Sequence, residues 1–138
     1  MLKHALVALL CLSMLPAQLR ASSEPEASAP DAHGFKYVEM TPPLVVNVGE
    51  TGRVGFLKAE VSLRVQSAAL GSVELHMPAL RHELILLLSR QNQQSLQDAP
   101  VREALRLEAL ESMRKVIKDA DGAEGITDLL FTSFLVTR

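Results

Sequence analysis

The side chains that could bind a metal or move a proton are few and scattered. His76, His82 and Glu83 come closest to a ligand cluster. A zinc site needs three or four converging donors, and helical positions six apart do not share a face. The three read instead as surface groups flanking an apolar stripe of Leu80, Leu84 and Leu88. Asp119-Ala120-Asp121-Gly122 with Glu124 begins like a calcium loop. It lacks the third early oxygen ligand before the glycine and the bidentate glutamate at the twelfth position, so it reads as a solvated helix end. Glu108 and Glu111 are spaced to approach each other on one helix face, as an acid/base pair does, with no nucleophile or oxyanion donor near them. The sequence contains no Gly-rich phosphate loop and no nucleophile elbow. The expectation is a protein without catalytic, metal-ligating or cofactor-binding residues.

Composition narrows the remaining classes. A chain of 138 residues, 48% apolar, has room for one domain with a packed core. Aromatic residues make up 4% and Trp is absent, so that core must be aliphatic. A net charge of -2 with interspersed signs offers no basic face for a phosphate backbone, which argues against nucleic acid as a partner. The single cysteine, Cys11, lies in the first apolar run, leaving the rest of the chain without a thiol.

Residues 1–21 have the order of an export signal: Lys3 and His4, the apolar run Ala5 to Leu15, then Pro16. Eleven helical residues rise roughly 16 Å, about half the hydrocarbon thickness, which disfavours a spanning helix. Ala17 and Ala21 are the small residues after which cleavage is expected, and a short membrane anchor is the alternative. Residues 22–36 are expected to be a disordered tether, since Ser22 to His33 carries no large apolar side chain to offset the entropy of ordering.

Beyond residue 37 the periods of a folded unit begin. Leu44-Val45-Val46-Asn47-Val48, closed by Gly49-Glu50-Thr51-Gly52, predicts a strand and a turn. Leu57, Ala59, Val61, Leu63 and Val65 alternate with Lys58, Glu60, Ser62, Arg64 and Gln66, the period of a strand with one buried and one wet face. The two strands should pair as an antiparallel hairpin. Val73, Met77, Leu80, Leu84, Leu87 and Leu88 then recur at helical spacing, with Pro78 either opening the regular part or kinking a longer helix. Asp98, Pro100 and Glu103 supply a cap, a first-turn proline and a first-turn anion for a second helix of similar length. Its stripe is Val101, Leu105, Ala109, Met113, Val116 and Ile117, and Asp121-Gly122 should stop it. Ile126 to Thr137 is apolar on both faces, which predicts a central or doubly covered strand. The fold class is α+β: a hairpin, two amphipathic helices and a C-terminal strand.

Taken in order, several of these residues resemble the FliL family of flagellar basal-body-associated proteins. The resemblance runs from about Tyr37 to the C-terminus. It rests on Tyr37 with Pro43, Val46-Asn47-Val48, Phe56-Leu57-Lys58, Pro78 with Arg81, Leu87-Leu88-Ser89, Leu105-Arg106 and Phe131-Thr132-Ser133-Phe134-Leu135-Val136. Three departures stand out: the short Ala5 to Leu15 run replaces the family's transmembrane helix, Leu130 replaces an aromatic, and the third precedes the second helix's Leu-Arg pair. Ahead of Leu105-Arg106, Pro100-Val101-Arg102 stands where Gly-Lys is usual. The resemblance implies a stomatin-like (SPFH-type) domain in the periplasm, at the inner membrane and the flagellar basal body. It implies a non-enzymatic accessory that binds a MotB-type stator subunit and self-associates into a ring, as a paralogue with a signal peptide in place of the membrane helix. A stomatin-like envelope or lipid-associated scaffold unrelated to the flagellum is the alternative. Asn47, Arg81 and Arg106 are the polar matches expected to serve as protein-interface or fold-locking groups.

Overall fold

The computed structural model describes residues 34–49 and 55–137. The signal expected at 1–21 and most of the expected tether at 22–36 therefore lie outside the described residues. In chain order the elements are β1 (Phe35–Glu39), β2 (Leu44–Val48), β3 (Gly55–Gln66), α1 (Leu70–Leu75), α2 (Met77–Ser89), α3 (Ala99–Asp121) and β4 (Ile126–Thr137). Short 3-10 turns at Ser67–Ala69 and Ser95–Gln97 lead into α1 and α3. The described residues thus form a mixed α/β fold with an antiparallel sheet and three helices.

β3 is the axis of the sheet. Leu57, Ala59, Val61, Leu63 and Val65 are all buried, as their alternation requires. β2 pairs with the first half of β3, Leu44 against Ala59 and Val48 against Gly55, and forms the expected hairpin. β1 pairs with the second half, Phe35 against Gln66 and Glu39 against Ser62. β4 runs along the other edge, from Thr137 opposite Phe56 to Ile126 opposite Val65, so every pairing is antiparallel. Thr132 and Thr127 are the extra residues at its two register shifts, and Thr127 Oγ1 donates to Arg64 O at 3.0 Å.

The helices cover one face of this sheet. α2 contributes Leu80, Leu84, Leu87 and Leu88, and α3 contributes Leu105, Ala109, Leu110, Met113 and Ile117. They bury the odd-numbered side chains of β3 together with Leu44, Val46, Val48 and Leu129. Truncating any of the buried leucines to alanine would cost about 2–5 kcal/mol.

Several expectations are corrected. Phe35 and Lys36, expected in the tether, are strand residues: Phe35 packs its ring 4.0 Å from the Arg64 guanidinium carbon. Among the described residues there are three helices of 6, 13 and 23 residues, not two of similar length. The chain breaks at His76 (φ -95°, ψ 9°), and Pro78 opens α2 in its first turn, where a missing N–H costs nothing. Asp98 holds the N-cap position of α3 with extended backbone but makes no side-chain cap bond, and Glu103 lies beyond the first turn. Gly122 does end α3, at φ 73° with its N–H on Lys118 O at 2.9 Å. Ser62, expected on the wet face, is 5% exposed, flanked in the register by Glu39 and Leu130. β4 is not central: among the described residues β3 is its only neighbour.

Candidate interaction site

The three polar residues singled out by sequence do not converge. Asn47 lies on β2 opposite Phe56 and projects from the sheet face away from the helices. Its side chain is exposed and bonds no described residue. Arg81 and Arg106 instead hold the helices to the sheet. Arg81 Nη1 donates to Pro42 O at 2.7 Å, tying α2 to the β1–β2 connection. Arg106 donates through Nε and Nη2 to both oxygens of Glu103, at 2.8 and 2.7 Å. Its Nη1 reaches Asp128 Oδ1 at 2.5 Å and Leu129 O at 3.1 Å.

These bonds set the local electrostatics. The hydrogen bond from Arg106 holds the Glu103 carboxyl below the usual carboxylate range, and Glu103, with Asp128, holds the guanidinium protonated. Asp121 is likewise lowered, first by Ser72 Oγ at 2.5 Å and next by the Ala123 N–H at 2.9 Å. His76 adds to this, its Nε2 lying 3.3 Å from Asp121 Oδ2 at the junction of α1 and α2. Lys115 is raised by its bond to Asp119.

Each perturbed group is thus explained by a structural partner. Glu111, the partner considered for Glu108 in an acid/base pair, binds Arg114 at 2.7 Å. Glu124 pairs with Lys118 at 3.3 Å. Among the described residues no three His, Cys, Asp or Glu side chains gather as metal ligands. An open groove of about 440 Å³ runs between α3 and the start of β4, lined by Glu111, Arg114, Lys118 and Glu124 among others. Its charges pair with one another, as above. Among the described residues no helix is long and apolar enough to cross a membrane.

The sheet face turned away from the helices is open. Val45, Lys58 and Leu135 form one cross-strand row there, and Asn47, Phe56 and Thr137 form the next. Val45 is 63%, Phe56 49% and Leu135 55% exposed. Large apolar side chains grouped on one exposed face are a usual mark of an interaction surface. Sequence reasoning took this face of β3 as simply wet. Phe56, standing in phase with Lys58 and Glu60, was the available signal. Arg114 was also missed: it donates to Ile126 O at 2.9 Å and Thr127 O at 3.1 Å, repeating eight residues on the role of Arg106.

Residues 37–136 match the sequence model of the family described as flagellar basal body-associated protein FliL. The chain belongs to the FliL family. The match spans β2 to α3 entire and all but the ends of β1 and β4, so it coincides with the folded unit. The chain is similar to the flagellar protein FliL of Aquifex aeolicus (strain VF5), 24% identical over 109 residues. That alignment covers 78% of this chain and 65% of the relative, so the chain spans just under two thirds of the relative's length. That family is described as flagellar basal body-associated.

Proposed function

We propose that this FliL family protein is a non-enzymatic accessory of the flagellar motor, acting from the periplasm to bind or stabilise a MotB-type stator subunit and so support motility. Ring formation by several copies, on a stomatin-like (SPFH-type) domain, belongs to the same reading. The observation that carries it is the family match over the folded unit, residues 37–136. Two features of the site support it. Arg81 and Arg106 are occupied in holding the helices to the sheet, and the face carrying Asn47, Val45, Phe56 and Leu135 is left to meet a partner.

The mechanism is therefore one of binding. Burial of Val45, Phe56 and Leu135 supplies the apolar centre of a contact, and Asn47 and Lys58 supply polar groups that fix orientation. In-cell crosslinking through a photoreactive residue at Val45 or Phe56 tests this, alongside swimming in medium of raised viscosity. Crosslinks to a stator subunit and a swimming defect on deletion are expected. Normal swimming under load with no stator crosslink overturns the reading. Co-sedimentation of the purified protein with lipid vesicles in the absence of any stator protein would favour the lipid-associated scaffold instead.

A further inference from the structure

Arg64 stands on the open face of the sheet without a carboxylate, although acids surround it. Its neighbour across β4 is Asp128, and opposite charges in such cross-strand positions normally pair. Here the Asp128 carboxyl is drawn away to Arg106 of α3, at 2.5 Å. Glu60, further along the same face of β3, lies 3.9 Å from the Lys58 ammonium. Glu39, two residues past Tyr37 on β1, makes no ion pair with Arg64. The guanidinium therefore bonds no carboxylate, hydroxyl or carbonyl among the described residues.

That guanidinium is nevertheless held in place. Its carbon sits 4.0 Å from the centroid of the Phe35 ring, which lies diagonal to Arg64 in the β1–β3 ladder. Phe35 is fixed in turn, because Gly34 O accepts from the Ser67 N–H at 2.8 Å and from Ser67 Oγ at 2.7 Å. These two bonds tie the start of β1 to the end of β3. Tyr37, directly opposite Arg64 in the register, is 44% exposed, and Arg64 itself is half-buried. A stacked arginine with unused N–H groups beside a tyrosine is the composition of an interface hot spot. Its stacking leaves little rotamer freedom to lose on binding.

We infer that Arg64, on its Phe35 platform and beside Tyr37, receives a carboxylate from an acidic side chain of the protein that docks on this face. The inference rests on the reading that the open face meets a partner, and it supplies that partner's chemistry. The apolar row of Val45 and Leu135 around Lys58 lies six residues along β3 from Arg64, roughly 20 Å at the rise of a strand. Between the two ends Lys58 and Glu60 pair with each other and Ser62 is buried, so the ends are separate contact points. The segment that fits carries an aliphatic cluster and an aspartate or glutamate about 13 residues from it if helical. The planar fork of arginine takes a carboxylate through two parallel N–H···O bonds, which sets register as well as affinity. An anionic membrane is a poorer match. It is recognised by clusters of basic residues, whereas Arg64 is one cation near Glu39 on a chain of net charge -2.

Photocrosslinking at Val45 in cells shows whether a stator subunit sits on the face, and Arg64 variants show whether the guanidinium holds it there. Arg64→Gln should cut the crosslink yield about tenfold, the loss expected of a charge-assisted bond. Arg64→Lys should keep part of the yield, because an ammonium has the charge without the fork. The urea midpoint should barely move in either variant, since the Arg64 side chain touches the fold chiefly through the Phe35 ring. Among acidic residues of the crosslinked subunit changed singly to arginine, one should lose the crosslink and regain it with Arg64→Glu. Undiminished crosslinks in Arg64→Gln, or no acidic position that Arg64→Glu restores, overturn the inference and leave the stator reading standing. No stator crosslink with the natural Arg64 removes both. Two other results also overturn it. Co-sedimentation of the pure protein with anionic vesicles that Arg64→Gln abolishes would give the guanidinium to lipid phosphate. Equal and non-additive stability losses in Asp31→Asn and Arg64→Gln would give it to the chain's own Asp31, three residues before Gly34.

Discussion

Arg106 on α3 and Asp128 on β4 are joined by a 2.5 Å bond from Nη1 to Oδ1, and the same nitrogen reaches Leu129 O on the strand's free edge. Arg106 is 22% exposed, against 38% for Asp128, so the pair is partly shielded from water. Removal of the guanidinium leaves a carboxylate and a carbonyl to resolvation at the surface, not to full burial. Arg106→Ala should therefore cost about 1–2 kcal/mol, between the value of an exposed ion pair and that of a buried one. Urea unfolding checks it. Arg106→Lys should recover less than half of the loss, since an ammonium cannot serve Glu103, Asp128 and Leu129 O together in the same fork. Full recovery with lysine would mean that charge alone, without the fork, supplies the stability.

Asp121 predicts the direction of an acid transition. Its carboxyl is held low by Ser72 Oγ, by the Ala123 N–H and by the neighbouring His76. A carboxylate whose folded pKa lies below its unfolded value stabilises the fold above the unfolded value. That contribution is lost as pH falls through the lower, folded one. The unfolded value of Asp is about 3.9, so the loss belongs below roughly pH 4. Asp121→Asn should melt at a lower temperature than the natural protein at pH 7, and the two melting curves should converge as pH drops through that window. A constant gap between them from pH 7 to pH 2.5 would show that the carboxylate contributes nothing specific.

Why some of this was legible in the sequence and some was not follows from what each signal measures. The β3 alternation reports which face is buried, and Leu57 to Val65 lie buried as read. The apolar pattern of β4 located the strand at Ile126–Thr137 but reports burial, not neighbours, so it could not tell an edge from a centre. β1 escaped notice because Phe-Lys-Tyr-Val-Glu is short and its pairing partner, Ser62 to Gln66, is contributed from far along the chain. Arg106 was picked out by resemblance and Arg114 was not, although both reach the same strand. Which carbonyl an arginine meets depends on how closely α3 approaches β4, and no local pattern encodes that distance.

Asn47 and Arg81 should separate binding from folding. Asn47 is exposed and bonds no described side chain or backbone group, so Asn47→Ala should change stability by no more than about 0.5 kcal/mol. Any fall in stator crosslinking in that variant is then a surface effect. Arg81→Ala loses the bond to Pro42 O and should cost about 1 kcal/mol, with crosslinking falling only as far as folding does. Paired measurements of urea midpoint and crosslink yield distinguish the two. A large stability loss in Asn47→Ala would remove it from the interface and place it among the fold-locking groups.

The α3–β4 connection depends on one close approach. Gly125 sits at φ +158°, and a Cβ added there would meet Ala69 Cβ at 2.3 Å, far inside van der Waals contact. It cannot easily back away, because Gly125 O accepts the Gln66 N–H at 2.8 Å and so joins the turn to the end of β3. Gly125→Ala should therefore cost about 2–3 kcal/mol, the range of overpacking with limited backbone relief. If the clash with Ala69 is the cause, Ala69→Gly in the same chain should restore more than half of the loss. That holds despite its own cost of about 0.5–1 kcal/mol as a flexible residue in a helical turn. A double-mutant cycle by urea unfolding measures the coupling directly. Strictly additive losses would move the strain from the Ala69 contact to the backbone conformation of residue 125 itself.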